Sequence, residues 1–357
     1  MLFLTRMFGV TGSDAERDLA GEKELIAAIT EKVLSLQKNC AAQQNRSLAR
    51  GTHAKGTCAR AQFEVLDVKA GRDPTIAARL ARGIFAAPGV YPAVVRFANA
   101  DSKVNSDFKA DVRSLSISVD LTRDGTVPGA KIARQDFSLQ NTTTLPINDA
   151  RAFVAIMNLL TASNPAAGLW SLPFKDKLRV IRTLALVQVQ AHQKIKAYQL
   201  LRYGSNTPFR HGPTEAVKFS ATPRPENSAH ALGRANPNAL QDELVRHLNE
   251  DGRMSGFDFG LQFLDPGRMT YWGKRHDASF FTENASIDWN ETQAPFHTVA
   301  RLTLLPKSQL APKDADAISF DVTGNASPDS APVGSINRAR QHGEVASKNA
   351  RLMQPHA

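Results

Sequence analysis

Apolar residues recur at helical spacing early in the chain. Ile26, Ile29, Val33 and Leu36 fall on one stripe, and Ser13 with Glu16 makes a capping box ahead of them. An N-terminal arm helix running to about Asn39 is expected. From residue 61 the pattern changes to short runs rich in β-branched and aromatic residues: QFEVLDV, AVVRFA, SLSISVD, AVKFSA, FDFGLQFL and HTVARLTLL. These are separated by segments rich in Gly, Pro, Asn and Asp. That punctuation predicts an antiparallel sheet or barrel. Two helical stretches interrupt the strands, one from about Asp149 to Ala162 and one from about Lys175 to Arg202. Helices grouped among strands, instead of alternating with them, predict an α+β fold.

The segments SATPRPENSAHALGRANPNAL and GNASPDSAPVG are composed like loops, and the second leads into a terminal helix containing RQHGEVASKNAR. On that helix Arg340, Glu344, Ser347 and Arg351 are spaced four, three and four apart and share one stripe. Ala339, Gly343, Ala346 and Ala350 make a second stripe of small residues that lets a neighbouring backbone approach closely. With no internal repeat and no clean boundary, the expected organisation is a helical arm over 1–45 and a single domain over 46–357. The barrel would occupy about 50–325 and the terminal helix about 334–352.

Charge narrows the partners. The net charge of +10, from 44 basic and 34 acidic residues, favours anionic ones such as nucleic acid, an acidic membrane surface or a carboxylate-bearing ligand. No basic stripe interleaved with aromatics marks a nucleic-acid surface, so nucleic acid is not expected. Cys40 and Cys58 are too few for a disulfide framework and point to a reducing compartment. The opening MLFLTRMFGV lacks a charged leader and a small-residue cleavage site, and no transmembrane segment is expected, so the expected location is cytoplasmic. Phosphate-loop, dinucleotide, zinc-protease and serine-hydrolase motifs are missing.

The chemistry concentrates in RGTHAKGTCARAQFEVLD, residues 50 to 67, where Arg50 stands three residues before His53 and just upstream of a strand. This run resembles the distal segment of catalases and catalase-related haem proteins, in which Arg-x-x-His-Ala-Lys-Gly precedes a Phe-Glu-Val strand. Further segments follow in the same order. VVRFANADSKVNSDFKADVRSLSISVD is similar to the family's Val-Arg-Phe strand, acidic loop and Asp-x-Arg-Gly turn, with Ser114 in place of the glycine. DFSLQNTTTLPINDARAF is similar to the segment with the distal asparagine, which falls on Asn141. YGSNTPFRHGPTEAVKFSATP, FDFGLQFLD and ASIDWNETQAPFHTVARLTLLP resemble the shorter branch that includes small peroxidases and allene oxide synthase-like proteins. The resemblance runs from about Arg50 to Arg351.

It implies haem b enclosed by an antiparallel β-barrel and its helices, and a hydrogen peroxide or organic hydroperoxide substrate, a fatty-acid hydroperoxide being consistent with the basic charge. His53 is then the distal acid–base that moves a proton between the peroxide oxygens, and Asn141 hydrogen-bonds the peroxide. Arg50, Arg96 and Arg351 face the haem propionates, and Arg340 lies beside the proximal ligand. Allene oxide synthase-like isomerisation belongs to the same chemistry. Oligomeric state is left open.

The family's terminal helix carries approximately Asn-Arg-x-Arg-x-x-x-Tyr-x-x-Ser-x-x-x-Arg, with the tyrosine on the iron. Here NRARQHGEVASKNAR matches at Asn337, Arg338, Arg340, Ser347 and Arg351, and the tyrosine position holds Glu344. Three readings follow. Glu344 ligates the iron as a hard anionic oxygen donor held ionised by Arg340. Alternatively another group, such as His342, or no protein ligand takes the position. In the third, haem has been lost, Arg340 and Glu344 form an ordinary i, i+4 ion pair, and the protein is a catalase-fold pseudoenzyme acting as a binding module. A second departure is that TTTLPIN after Asn141 lacks bulky aromatics, and Phe137 and Phe153 are the nearby residues that would take their place.

Overall fold

The computed structural model describes residues 16–45, 50–122, 133–161 and 164–352. Among them one antiparallel sheet contains β1 (Gly56–Val65), β2 (Gly89–Asn99), β3 (Arg113–Asp120), β4 (Arg134–Gln140), β5 (Tyr203–Gly204), β6 (Phe209–His211), β7 (Glu215–Pro223), β8 (Ser255–Phe263) and β9 (Phe296–Gln309). The strands run β5-β4-β3-β2-β1-β9-β8-β7-β6. Gly204 of β5 pairs with Gln140 of β4, while Tyr203 and Gly204 pair with Ala221 and Ser220 of β7. That double pairing closes eight strands into a barrel and leaves β6 outside the ring, hydrogen-bonded to β7.

Alternation along the strands fills the interior with rings. Phe63 of β1, Phe137 of β4, Phe219 of β7 and Phe259 of β8 are all buried, and their neighbouring ring centroids lie 4.9 to 6.0 Å apart. Stacked and edge-on rings at this spacing add to the burial of their area. The α+β expectation and the enclosing antiparallel barrel are thus as the sequence pattern predicts. Cys40 and Cys58 are buried free thiols.

The helices lie outside the barrel: α1 (Glu22–Gln43), α2 (Pro74–Leu80), α3 (Ala150–Thr161), α4 (Pro165–Ser171), α5 (Phe174–Ala191), α6 (Ala239–Val245), α7 (Ala278–Glu283), α8 (Pro312–Ala317) and α9 (Ser335–Leu352). Among the described residues no helix is long and apolar enough to cross a membrane.

Two helix expectations shift. The long helix ends at Ala191, not near Arg202. Tyr198 stacks on Phe97 at 5.1 Å and its hydroxyl donates to Asn99 Oδ1 at 3.2 Å, contacts that need the chain to leave the helix and enter the barrel. The arm helix starts at Glu22 behind Gly21 and runs on to Gln43, while Ser13 lies outside the described residues. Glu16 is used elsewhere, accepting from the Gly334 amide at 2.9 Å and from Arg338 Nη1 at 3.0 Å.

The small-residue stripe of α9 receives α1. Ala339 is buried with Ile29 against Leu25 and Val33, and Gly343 lies against Val33. Gly334 opens α9 at φ 91°, where a Cβ would come within 2.4 Å of the Thr282 carbonyl.

The loop between β2 and β3 is held by a buried ion pair. Lys55 Nζ lies 2.8 Å from Asp107 Oδ1, which also accepts from Asn99 Nδ2 at 2.9 Å, while Oδ2 accepts from the Leu240 amide at 2.8 Å. Removing one partner of such a pair leaves the other charge uncompensated. We expect Asp107→Ala to lower the unfolding free energy by about 3 to 5 kcal/mol, measured as a shifted denaturant midpoint at unchanged slope. A loss below about 1 kcal/mol would show that Lys55 is satisfied by the Asn105 and Pro237 carbonyls it also reaches.

Candidate functional site

The segment ahead of β1 folds back along the end of β2. The His53 amide donates to the Ala100 carbonyl at 3.1 Å and the Ala54 amide to the Asp101 carbonyl at 3.0 Å. His53 adopts φ 58°, the left-handed region in which a residue with a Cβ is uncommon. Its ring Nδ1 lies 3.0 Å from Thr52 Oγ1, and its Nε2 is buried without a hydrogen-bond partner.

Arg96 comes up from β2 and donates through Nη2 to the His53 carbonyl at 2.8 Å. Gly56, paired with Ala98 two residues further along β2, makes room for it. A Cβ there would lie 2.5 Å from the Phe97 carbonyl oxygen and 2.7 Å from Arg96 Cζ. The glycine of the Ala-Lys-Gly run therefore serves the arginine's position.

Three more arginines join this group. Arg50 Nη2 donates to the Ile318 carbonyl at 2.5 Å and Arg351 Nη1 to the Asp316 carbonyl at 2.7 Å, both at the C-terminal end of α8. Arg340 Nε lies 3.5 Å from Glu344 Oε1. Arg50 Nε and Arg340 Nη1 are buried without partners. Among the described residues Glu344 is the carboxylate that pairs with any of the four.

The concentration of positive charge has titration consequences. Burial, then Arg96 and Arg351, pulls Arg50 down to about 9. Burial also lowers Arg96 and Arg351. Burial, then Arg96, Arg340 and Arg50, holds the His53 imidazole down to about 3, so it is neutral at physiological pH.

Glu344 behaves oppositely. Its side chain keeps 41% of its surface, yet burial pushes its carboxyl up to about 7 against the attraction of Arg340, with Asp321 and Asp136 adding to the rise. Ser347, one turn on, ties α9 to the His53 loop, because its Oγ accepts from the Gly51 amide at 3.2 Å while its carbonyl accepts from Gln37 Nε2 of α1 at 3.3 Å.

Arg50, His53, Arg96, Arg340, Glu344 and Arg351 are thus brought together from three regions of the chain, the segment ahead of β1, strand β2 and helix α9. Asn141 is not joined to them. Its Oδ1 accepts from the Arg113 amide at 2.7 Å and its Nδ2 donates to Gln193 Oε1 at 3.2 Å, with no hydrogen bond to His53. It lines a separate cavity of about 110 Å³ with Lys218, Gln262 and Trp289. There the buried Lys218 ammonium lies 5.0 Å over the Trp289 ring, and burial lowers it to about 8.

Phe137 belongs to the barrel core, and Phe153 packs with α1 and α9. His342 is exposed. Sequence reasoning also missed Arg338, matched in register and given no role. It bonds Glu16, Glu22 and Glu283, and although burial alone would lower its pKa, Glu22 and Glu283 raise it well above the ordinary value.

The sequence matches no family model and no curated protein. Solved structures are nevertheless similar. The chain aligns with a fungal catalase at 13% identity and TM-score 0.61, covering 88% of this chain and 60% of the catalase. With catalase A from Saccharomyces cerevisiae it aligns at 14% and 0.62, covering 88% and 62%. With a bacterial catalase it aligns at 15% and 0.61, covering 90% and 60%. The chain spans about three fifths of the length of these catalases. Its fold is catalase-like.

Proposed function

We propose that this chain is a cytoplasmic haem-dependent oxidoreductase acting on hydrogen peroxide or an organic hydroperoxide. One observation carries the reading: among the described residues the buried Arg96, the half-buried Arg50, Arg340 and Arg351 and a neutral histidine converge with partnerless N–H groups, and Glu344 is the carboxylate paired with them. An anion would complete such a cluster through charge-assisted hydrogen bonds. Arg50 Nε and Arg340 Nη1 are two such unfilled donors, and they fit the carboxylate rim of a haem.

In this reading Arg50, Arg96 and Arg351 hold the two propionates, and Glu344 offers a carboxylate oxygen to the metal, with Arg340 favouring its ionised form. Bound haem supplies a redox-active iron at which an O–O bond can be cleaved. The chain's own residues handle the proton. With Nδ1–H donating to Thr52 Oγ1, His53 presents the Nε2 lone pair as base, and burial, then the surrounding arginines, keep that lone pair free of a resident proton. Arg96 fixes the His53 backbone, so base and anion site are held by one guanidinium.

A second reading, a haem-free catalase-fold binding module, is favoured by Asn141, whose amide is engaged by Arg113 and Gln193 and not turned toward His53. Haem titration of the purified chain, followed by the visible spectrum and pyridine hemochrome, separates the two. No Soret band and no retained haem would leave the binding module as the surviving reading.

If haem binds, His53→Gln should retain it and lose about 10²- to 10⁴-fold in peroxide turnover, read by initial rates. Equal turnover in the two proteins would remove His53 from the chemistry. Glu344 gives a pH prediction. An unfolded glutamate titrates near 4.5 and the folded one near 7. Between these values the folded state binds more protons, so stability from this group falls as pH rises from about 4.5 to about 7 and is level above. Glu344→Gln should flatten that decline in melting temperature, and an unchanged slope would show that Glu344 titrates normally. Since a carboxylate must lose its proton to ligate, haem affinity should also rise with pH across the same interval.

A further inference from the structure

Helix α5 is apolar on two faces. Val180 and Thr183 are buried, with Val180 against Leu159 and Ile156 of α3. On the opposite side Phe174, Leu178, Ile181 and Val189 follow at helical spacing and are 73%, 51%, 49% and 71% exposed. Trp170 of α4, 73% exposed, extends the stripe. Scattered single apolar residues on a surface need no explanation, but a continuous stripe with an indole at one end does.

The rim of the stripe is basic. At 100° per residue Lys177 flanks it on one side and Lys175 and Arg182 on the other. Lys177 Nζ stands 5.0 Å over the Trp170 ring. Arg179 is paired with Asp176, the one acidic residue on the helix, and Lys194 and Lys196 follow beyond its end.

We propose that α4 and α5 dock this chain on an anionic lipid surface, lying in the interface with Trp170, Phe174, Leu178 and Ile181 among the acyl chains and the lysines at the headgroups. An exposed apolar stripe edged by cations, with an aromatic at its end, is the composition of an interfacial helix, and the basic rim is attracted to acidic headgroups. A second copy on the same stripe would set one basic rim against another, which is repulsive. The proposal is independent of haem binding.

Co-sedimentation of the full chain with vesicles tests it. Wild type should bind vesicles containing phosphatidylserine and phosphatidylcholine at least about tenfold more tightly than phosphatidylcholine alone, with the difference shrinking as salt is raised. Leu178→Glu/Ile181→Glu should abolish most of that binding. These side chains point outward, and an unchanged circular dichroism melt checks the fold. Lys175→Glu/Lys177→Glu, which alters no apolar residue, should reduce it at least about tenfold. Equal binding to both vesicle types, or binding that survives both double variants, overturns the proposal. So does a concentration-dependent dimer, seen by analytical ultracentrifugation and lost in Leu178→Glu/Ile181→Glu, without lipid binding.

Discussion

Two residues, Tyr203 and Gly204, close the ring. By pairing with β4 on one side and β7 on the other they leave the barrel with no open gap between those strands, and the phenylalanine core is sealed behind them. Closure fixes where the ends of β1, β2 and β3 lie. The loop that carries His53 is bonded to the residues after β2, and Arg96 rises from β2 itself, so the site inherits its geometry from the barrel's register.

What closure does not provide is charge balance. Burial lowers the pKa values of Arg50, Arg96 and Arg351, and repulsion from neighbouring arginines adds to the fall at Arg50 and Arg96. The carbonyls at the end of α8 offset part of that repulsion through Arg50 and Arg351. Glu344 offsets part of the rest, and its raised pKa makes its own contribution incomplete near neutrality. At the separate cavity that Asn141 lines, Gln190 of α5 donates to the Thr144 carbonyl and Asn141 Nδ2 donates to Gln193 just beyond the end of α5.

The long strands were legible because each carries enough β-branched and aromatic residues between turn-forming segments to exceed background. β5 and β6, two and three residues long, carry too little pattern to register, although β5 is the closure. The end of α5 was not legible since Tyr198 leaves the helix for a partner on β2, a contact local periodicity does not encode. Arg50 and His53 could be read together because they are three residues apart and keep the order of a recognisable run. The orientation of Asn141 could not, being set by the backbone of Arg113 and the side chain of Gln193. Arg338 escaped because its carboxylate partners lie 55 to 322 residues away.

Those same separations bear on how the molecule is made. The Arg338 bonds to Glu16 and Glu22 join segments 322 and 316 residues apart, and α1 packs on α9 across that span. Loop closure over such distances is slow relative to local pairing. During synthesis the barrel strands can pair while α1 waits without its partner, its apolar stripe uncovered until α9 is available. Helix α9, which bears Glu344, is thus made after all the strands of the barrel, so a chain stalled before it would hold a paired barrel with Arg50, His53 and Arg96 in place and neither Arg340 nor Glu344 beside them.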